Sequence, residues 1–305
     1  MKPKTLLLVL LLVPVTVLAQ NILKPTDALW KAIAEKNDKQ AKAFVAGNTV
    51  LMKELYWHWA VIMPEHSVTR YYPESIIDYY KQWFSLAKMN SCSKSILEVI
   101  DYDGYALETG TFTQNYTLKG GKPYSYTGKY MVLWRISSKL FDSPWIAAEI
   151  WGANAPFDET VLPKIKDTDL TIQRMLTGTE LEKELKGRNN IIAKLVKERK
   201  GVEHAALFLP DAVYMTYYTP LLTGSDKINA YFKEHEKPGD VTINTLLLDA
   251  SLVIETKDGA IEFGFYSVGF TFGNYTGMVN GKSINVWKRN KDGVLMLYRQ
   301  MVNHD

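Results

Sequence analysis

One cysteine, Cys92, stands among the 305 residues. A single thiol forms no internal disulfide and no cysteine-based metal site, so packing must hold the fold together. An excess of charge of one sign is missing too: 36 basic residues face 33 acidic ones. The balance holds locally, with 15 of each sign over 20–160 and 19 basic against 18 acidic over 161–305. No broad positive field exists to draw in nucleic acid or anionic lipid, and neither is expected as a partner. The run Lys194, Lys197, Arg199 and Lys200 reads as a solvated helix end, where cations oppose the helix dipole. The five histidines, His58, His66, His204, His235 and His304, fall at no zinc-binding spacing. No P-loop, nucleophile elbow or dinucleotide fingerprint occurs in a supporting context, so no metal and no cofactor is expected. After the first twenty residues no run is apolar enough to span a membrane, and no insertion is expected.

What is present is an ordinary globular composition: 47% hydrophobic, 23% charged and 12% aromatic. It excludes disorder and low-complexity classes. Residues 1–19 have the three parts of a secretory signal peptide: Lys2 and Lys4, an apolar run from Leu6, and small Val17 and Ala19 before Gln20. Cleavage before Gln20 and export, periplasmic or secreted, are the expectation.

The chain repeats itself. Ala106-Leu107-Glu108-Thr109-Gly110-Thr111-Phe112 matches Ala260-Ile261-Glu262-Phe263-Gly264-Phe265-Tyr266, each after an Asp-Gly pair, Asp103-Gly104 and Asp258-Gly259. Gly128-Lys129 through Trp134-Arg135 matches Gly281-Lys282 through Trp287-Lys288. A polar turn and a last strand follow each, ending in Glu149-Ile150-Trp151 and Gln300-Met301-Val302. Helical periodicity precedes the strands in both copies. Thr179 to Glu182 forms a capping box, and Leu181, Leu185, Ile192, Leu195 and Val196 share a helical face. A short helix over 202–209, a strand over 212–218 and a helix after Ser225-Asp226 follow. Strands are then expected over 241–249, 251–256, 260–272, 278–289 and 294–302. In the first copy, helices around Trp30–Val45 and Ile76–Ala87 precede strands over 95–101, 105–118, 124–138 and 144–151. The stretch from Val50 to Tyr72 shows no clear pattern. Helices gathered first and hairpins after them predict an α+β class: two tandem cone-shaped units, each of helices on a curved antiparallel sheet. The division is 1–19 leader, 22–155 first unit, 156–177 linker and 178–305 second unit. The units are expected to pack as an internal pseudo-dimer through outer sheet faces bearing Trp134 and Trp287.

At these residues the chain resembles the nuclear-transport-factor-2-like superfamily, and within it the exported SnoaL-like branch, much of it described only as domain of unknown function. The matching motifs are Leu207-Phe208-Leu209-Pro210-Asp211-Ala212, Gly224 to Ile228 and Gly281 to Trp287 in the second unit, and Tyr105 to Trp151 in the first. The resemblance implies a cone with an internal cavity. It does not imply one chemistry, because the superfamily includes isomerases, cyclases, dehydratases and binding domains. Its isomerases use an Asp base with a Tyr/Asp oxyanion pair; no Asp falls on those positions here, and Asp249 is nearest by region.

Glu108 and Glu262 occupy equivalent strand positions. Inside an apolar cone such a carboxylate has a raised pKa and can act as a base. The alternative is a structural acceptor, favoured by its presence in both copies. Tyr266 shares the face of Glu262. Tyr214 and Tyr218 share a face of the strand over 212–218, and their hydroxyls could hold an oxyanion or simply pack. With Gln300 and Trp151 these make up the candidate ligand-binding set. The favoured function is binding of a small, largely apolar ligand in an aromatic-lined pocket. A carboxylate-based isomerase, cyclase or dehydratase, or an interaction module using the sheet face, are the alternatives.

Overall fold

A computed structural model describes residues 22–102, 104–137, 144–166 and 174–305. The leader, Asp103, the turn at Asp142-Ser143 and the middle of the predicted linker lie outside the described residues.

In the first unit, helices α1 (Ala28–Ala46) and α2 (Thr49–Leu55) lead into strands β1 (Tyr56–Met63) and β2 (Arg70–Tyr71). Helix α3 (Tyr72–Leu86) follows, then β3 (Ala87–Tyr102), β4 (Tyr105–Leu118), β5 (Pro123–Arg135) and β6 (Trp145–Ala153). The second unit repeats the order with α4 (Glu180–Lys197), α5 (Gly201–Ala205), β7 (Phe208–Met215), β8 (Leu222–Thr223) and α6 (Ser225–His235). It ends with β9 (Val241–Thr256), β10 (Gly259–Phe272), β11 (Tyr275–Arg289) and β12 (Leu295–His304). The chain is α+β, with two six-stranded sheets in the orders β2-β1-β6-β5-β4-β3 and β8-β7-β12-β11-β10-β9.

The expectation of wholly antiparallel sheets needs one correction. β1 runs parallel to β6, and β7 parallel to β12. The first strand leaves the sheet through a helix, and the last strand returns beside it in the same direction. The structure also resolves the patternless stretch from Val50. Asn48 caps α2 by accepting from Val50 and Leu51 N–H, and β1 begins directly after that helix. In the second unit the strand expected over 212–218 is Phe208–Met215, and 241–256 is one strand with two register shifts against β10.

Side-chain alternation along β5 and β11 separates two faces. Tyr130, Val132 and Trp134 point into the first core, and Trp287 into the second, packed under the helices. Met131, Leu133, Ile284 and Val286 point the other way and meet in a core shared by both units. Trp134 and Trp287 therefore do not lie on the outer faces. Each is fully buried inside its own cone because its indole N–H has a carboxylate to reach there: Nε1 donates to Glu108 or Glu262 at 2.7 Å. Aliphatic side chains, joined by Tyr71, Phe263 and Tyr298, make the contact between units. Arg299 fastens it with Nε and Nη2 each 2.8 Å from a Glu98 carboxylate oxygen. Asn303 adds bonds to the Met63 and Trp151 carbonyls.

The repeated glycines have a steric role. A Cβ on Gly128 would overlap Phe112 and the Gly152 carbonyl, and one on Gly281 would overlap Tyr266 and the Asn303 carbonyl. Each glycine seats the aromatic ring that ends the neighbouring strand motif.

Candidate functional site

The first cone contains a cavity of about 370 Å³ between its helices and the concave sheet. Tyr79, Trp83, Phe112, Tyr126 and Trp151 form much of its apolar wall. α2 and α3 contribute Met52, Tyr79, Tyr80 and Trp83, while β3 to β6 supply the sheet side. Residues 159–165, inside the predicted linker, close one side. That segment is a piece of cavity wall as well as a connection.

A polar cluster lies on the sheet wall. Lys94 Nζ on β3 donates to Glu149 Oε1 at 2.9 Å and to Gln40 Oε1 at 2.8 Å, and lies 4.3 Å from the Tyr130 ring centre. Glu149 Oε2 on β6 accepts from Gln40 Nε2 at 3.0 Å and from the Tyr56 hydroxyl at 3.1 Å. The Tyr56 and Tyr80 hydroxyls are 2.9 Å apart. Since Tyr56 gives its proton to Glu149, Tyr80 donates to Tyr56. Only 7% of either side chain in the Lys94–Glu149 pair is exposed, so the pair is little screened by solvent. Burial, reinforced by nearby Tyr80 and Glu149, pushes the Tyr56 hydroxyl well above its ordinary pKa; burial and Glu149 do the same to Tyr80. Both hydroxyls stay protonated and serve as hydrogen-bonding groups. Cys92 lines the same wall, and burial pushes its thiol up to about 11, which keeps it protonated and a poor nucleophile at neutral pH.

Glu108 lies behind this wall. It is fully buried and accepts from Asn37 Nδ2 at 2.7 Å, from the Tyr130 hydroxyl and from Trp134 Nε1. Glu262 repeats the arrangement with Asn189, Asn285 and Trp287 at 2.6, 3.1 and 2.7 Å. Burial raises both carboxyl pKa values against the pull of these donors. Each carboxylate ties a helix to the sheet, the geometry of the structural alternative rather than of a base facing a cavity.

Among the other candidates, Trp151 lines the cavity. Gln300 donates to Asn285, which in turn donates to Glu262, so these two candidates join one chain of hydrogen bonds. Tyr214 is buried in the apolar core of the second cone. The Tyr266 hydroxyl donates to the Asn303 carbonyl at 3.1 Å and lies 2.9 Å from His304 Nδ1, away from Glu262. Tyr218 stands three residues beyond the end of β7, not on the strand beside Tyr214. It reaches the first unit, with its hydroxyl 3.0 Å from His66 Nε2 and 2.9 Å from Glu159 Oε1. Asp249 accepts an ion pair from Arg174 at 3.4 Å. Among the described residues no group of three or more His, Cys, Asp or Glu could hold a metal ion. No helix there is long and apolar enough to cross a membrane.

The two cones differ at matching positions. The registers pair Val132 with Glu149 and Asn285 with Gln300, Phe112 with Lys94 and Tyr266 with Leu248, and Ile146 with Tyr56 and Leu297 with Phe208. Asn37 and Asn189 hold equivalent carboxylates, which aligns Gln40 with Ile192 one helical turn on. The equal spacing from β2 and β8 aligns Tyr80 with Phe232. Lys94, Glu149, Gln40, Tyr56 and Tyr80 thus correspond in position to Leu248, Gln300, Ile192, Phe208 and Phe232. The four apolar residues of that second set pack together in the second core.

No family model matches the chain, and no curated protein matches it. Solved structures do resemble it. ActVI-ORFA from Streptomyces coelicolor matches at 18% identity and TM-score 0.38, over 42% of this chain and 98% of its own. A ketosteroid isomerase-like protein from Erwinia carotovora atroseptica matches at 16% and 0.39, over 43% and 99%. A nuclear transport factor 2-like superfamily protein from Salmonella enterica matches at 11% and 0.37, over 43% and 94%.

Proposed function

We propose that this chain is an exported binding protein whose first cone takes one small, largely apolar, ring-bearing ligand. The observation that carries this reading is the polar cluster around Lys94 and Glu149 in an aromatic-walled cavity, set against the uncharged and mostly apolar set in the second unit. A concave apolar site with a few placed polar groups is the usual form of a ligand pocket. The ring walls take the body of the ligand, and Lys94 and Tyr80 orient a polar group on it.

Binding without turnover fits the hydrogen bonding of Glu149 and Glu108 better than catalysis does; of the other lining carboxylates, buried Glu65 accepts from Tyr126 and the Ala153 N–H through Oε2 and keeps Oε1 unpartnered among the described residues. Both oxygens of Glu149 already accept from neighbours, and Glu108 lies behind the wall. A general base needs a free lone pair within reach of a substrate proton.

A thermal-shift screen of small aromatic and alicyclic metabolites tests this reading. A ligand at 100 times its Kd adds about 2.7 kcal/mol of stability. The shift should vanish in Trp151→Ala. A shift that persists there, or product formation detected by mass spectrometry, contradicts the reading. For export, the intact mass of secreted material should correspond to a chain beginning at Gln20; a mass that retains Met1–Ala19 contradicts it.

A further inference from the structure

At its outer end the cavity is lined by exposed Glu159, Thr160 and Lys164, so residues 159–165 form its rim. This strap has no strand partner. Side chains tie it down at two places: near its start the Tyr116 hydroxyl donates to the Val161 carbonyl at 2.9 Å, and just past its far end Lys166 N–H donates to Gln82 Oε1 at 3.0 Å and Arg70 Nη2 to the Lys166 carbonyl at 3.0 Å. Its near end meets Tyr218, which belongs to the second unit. The Tyr218 hydroxyl bonds to both Glu159 and His66, and its ring meets Phe157 edge-on at 5.6 Å. His66 Nδ1 is a further 3.6 Å from Glu159 Oε1.

His66 and Tyr218 each stand three residues beyond the matching strands β1 and β7, so they are equivalent residues of the repeat meeting each other. Both adopt left-handed backbone, with φ of 56° and 55°. Non-glycine residues rarely hold that conformation unless their surroundings fix it, and such residues gather at clamps and switch regions.

We infer that Tyr218, lent by the second unit, latches the strap over the first cone and so controls passage into its cavity. The second unit, apolar at four of the five cluster positions of its own cone, then serves the first. The inference needs only the first-cone cavity, not the identity of a ligand.

Cys92 supplies a probe, because the chain's one thiol lines the cavity behind the strap. Cys92 is half-buried at rest, so it has a basal rate of reaction with iodoacetamide at fixed pH, and a rise above that rate reports opening of the cavity. Tyr218→Phe keeps the ring and removes both hydrogen bonds, and should speed labelling about tenfold at equal thermal stability. Glu159→Ala, on the exposed surface, should speed it less, and the double variant should react no faster than Tyr218→Phe alone. These rates should not change in low urea, as local opening exposes little new surface. Equal rates in wild type and Tyr218→Phe overturn the inference. So does labelling that accelerates with urea in step with global unfolding. If Tyr218→Phe does not fold, Glu159→Ala decides: an unchanged rate overturns the latch.

Discussion

At Glu108 and Glu262 a buried carboxyl group carries structural work inside each cone. Three donors converge on each carboxylate from a helix and from the sheet, so removing one strands several buried polar groups at once. Glu108→Leu leaves Asn37, Tyr130 and Trp134 without their acceptor and should cost about 3 kcal/mol or more, at about 1 kcal/mol or more per stranded donor. Urea unfolding measures it. The pH dependence has a definite sign. Burial raises the folded-state pKa of Glu108 above its unfolded value, so the native state binds more protons in the interval between them. The stability linked to Glu108 is fully present below the unfolded value and falls as pH rises through the folded one. The penalty of Glu108→Leu should therefore be largest at acid pH and shrink as pH rises. A penalty that grows with pH contradicts the assignment.

At the scale of elements, helix α2 and strand β1 supply Met52 to the cavity wall and Tyr56 to the polar cluster, and they form the stretch least legible in the sequence. The cause is length. α2 spans seven residues and passes into β1 without a turn, so neither the 3.6 nor the 2.0 period has room to declare itself. The Asn48 cap is the local signal that starts the helix. Asn48→Ala should lower stability by about 1 kcal/mol, measured as a shift in the urea midpoint. The long hairpins were legible because their apolar residues alternate and their repeated motifs align. The faces were read with less success at Trp134 and Trp287. An indole looks like outer-face apolar surface until the buried carboxylate it donates to is placed beside it. The parallel closure of each sheet carries no local mark, since it depends on which strands meet after the helix.

In the whole molecule the two units share one apolar core and are fastened by Arg299 to Glu98. Glu98→Ala leaves Arg299 buried without its carboxylate and should cost about 3 kcal/mol. A change below about 0.5 kcal/mol would show that the pair contributes little to the contact. The site was legible in part. Trp151 lines the cavity, but Lys94, Gln40, Tyr56, Tyr80 and Glu149 carry no local signal, because they lie far apart in the chain: strand registers bring Tyr56, Lys94 and Glu149 together, and helix packing adds Gln40 and Tyr80. Their signal was the position-by-position difference between repeats, readable once α2 and β1 are aligned. The central claim is that the first cone binds and the second does not. Titration calorimetry with the compound giving the greatest thermal shift tests it most directly. Wild type should bind one equivalent per chain. The double substitution Lys94→Leu with Glu149→Gln, which writes the second unit's residues into the first cone, should abolish binding, and Gln300→Leu should leave it intact. Two equivalents per chain, or binding lost with Gln300→Leu and kept in the double variant, would contradict the account.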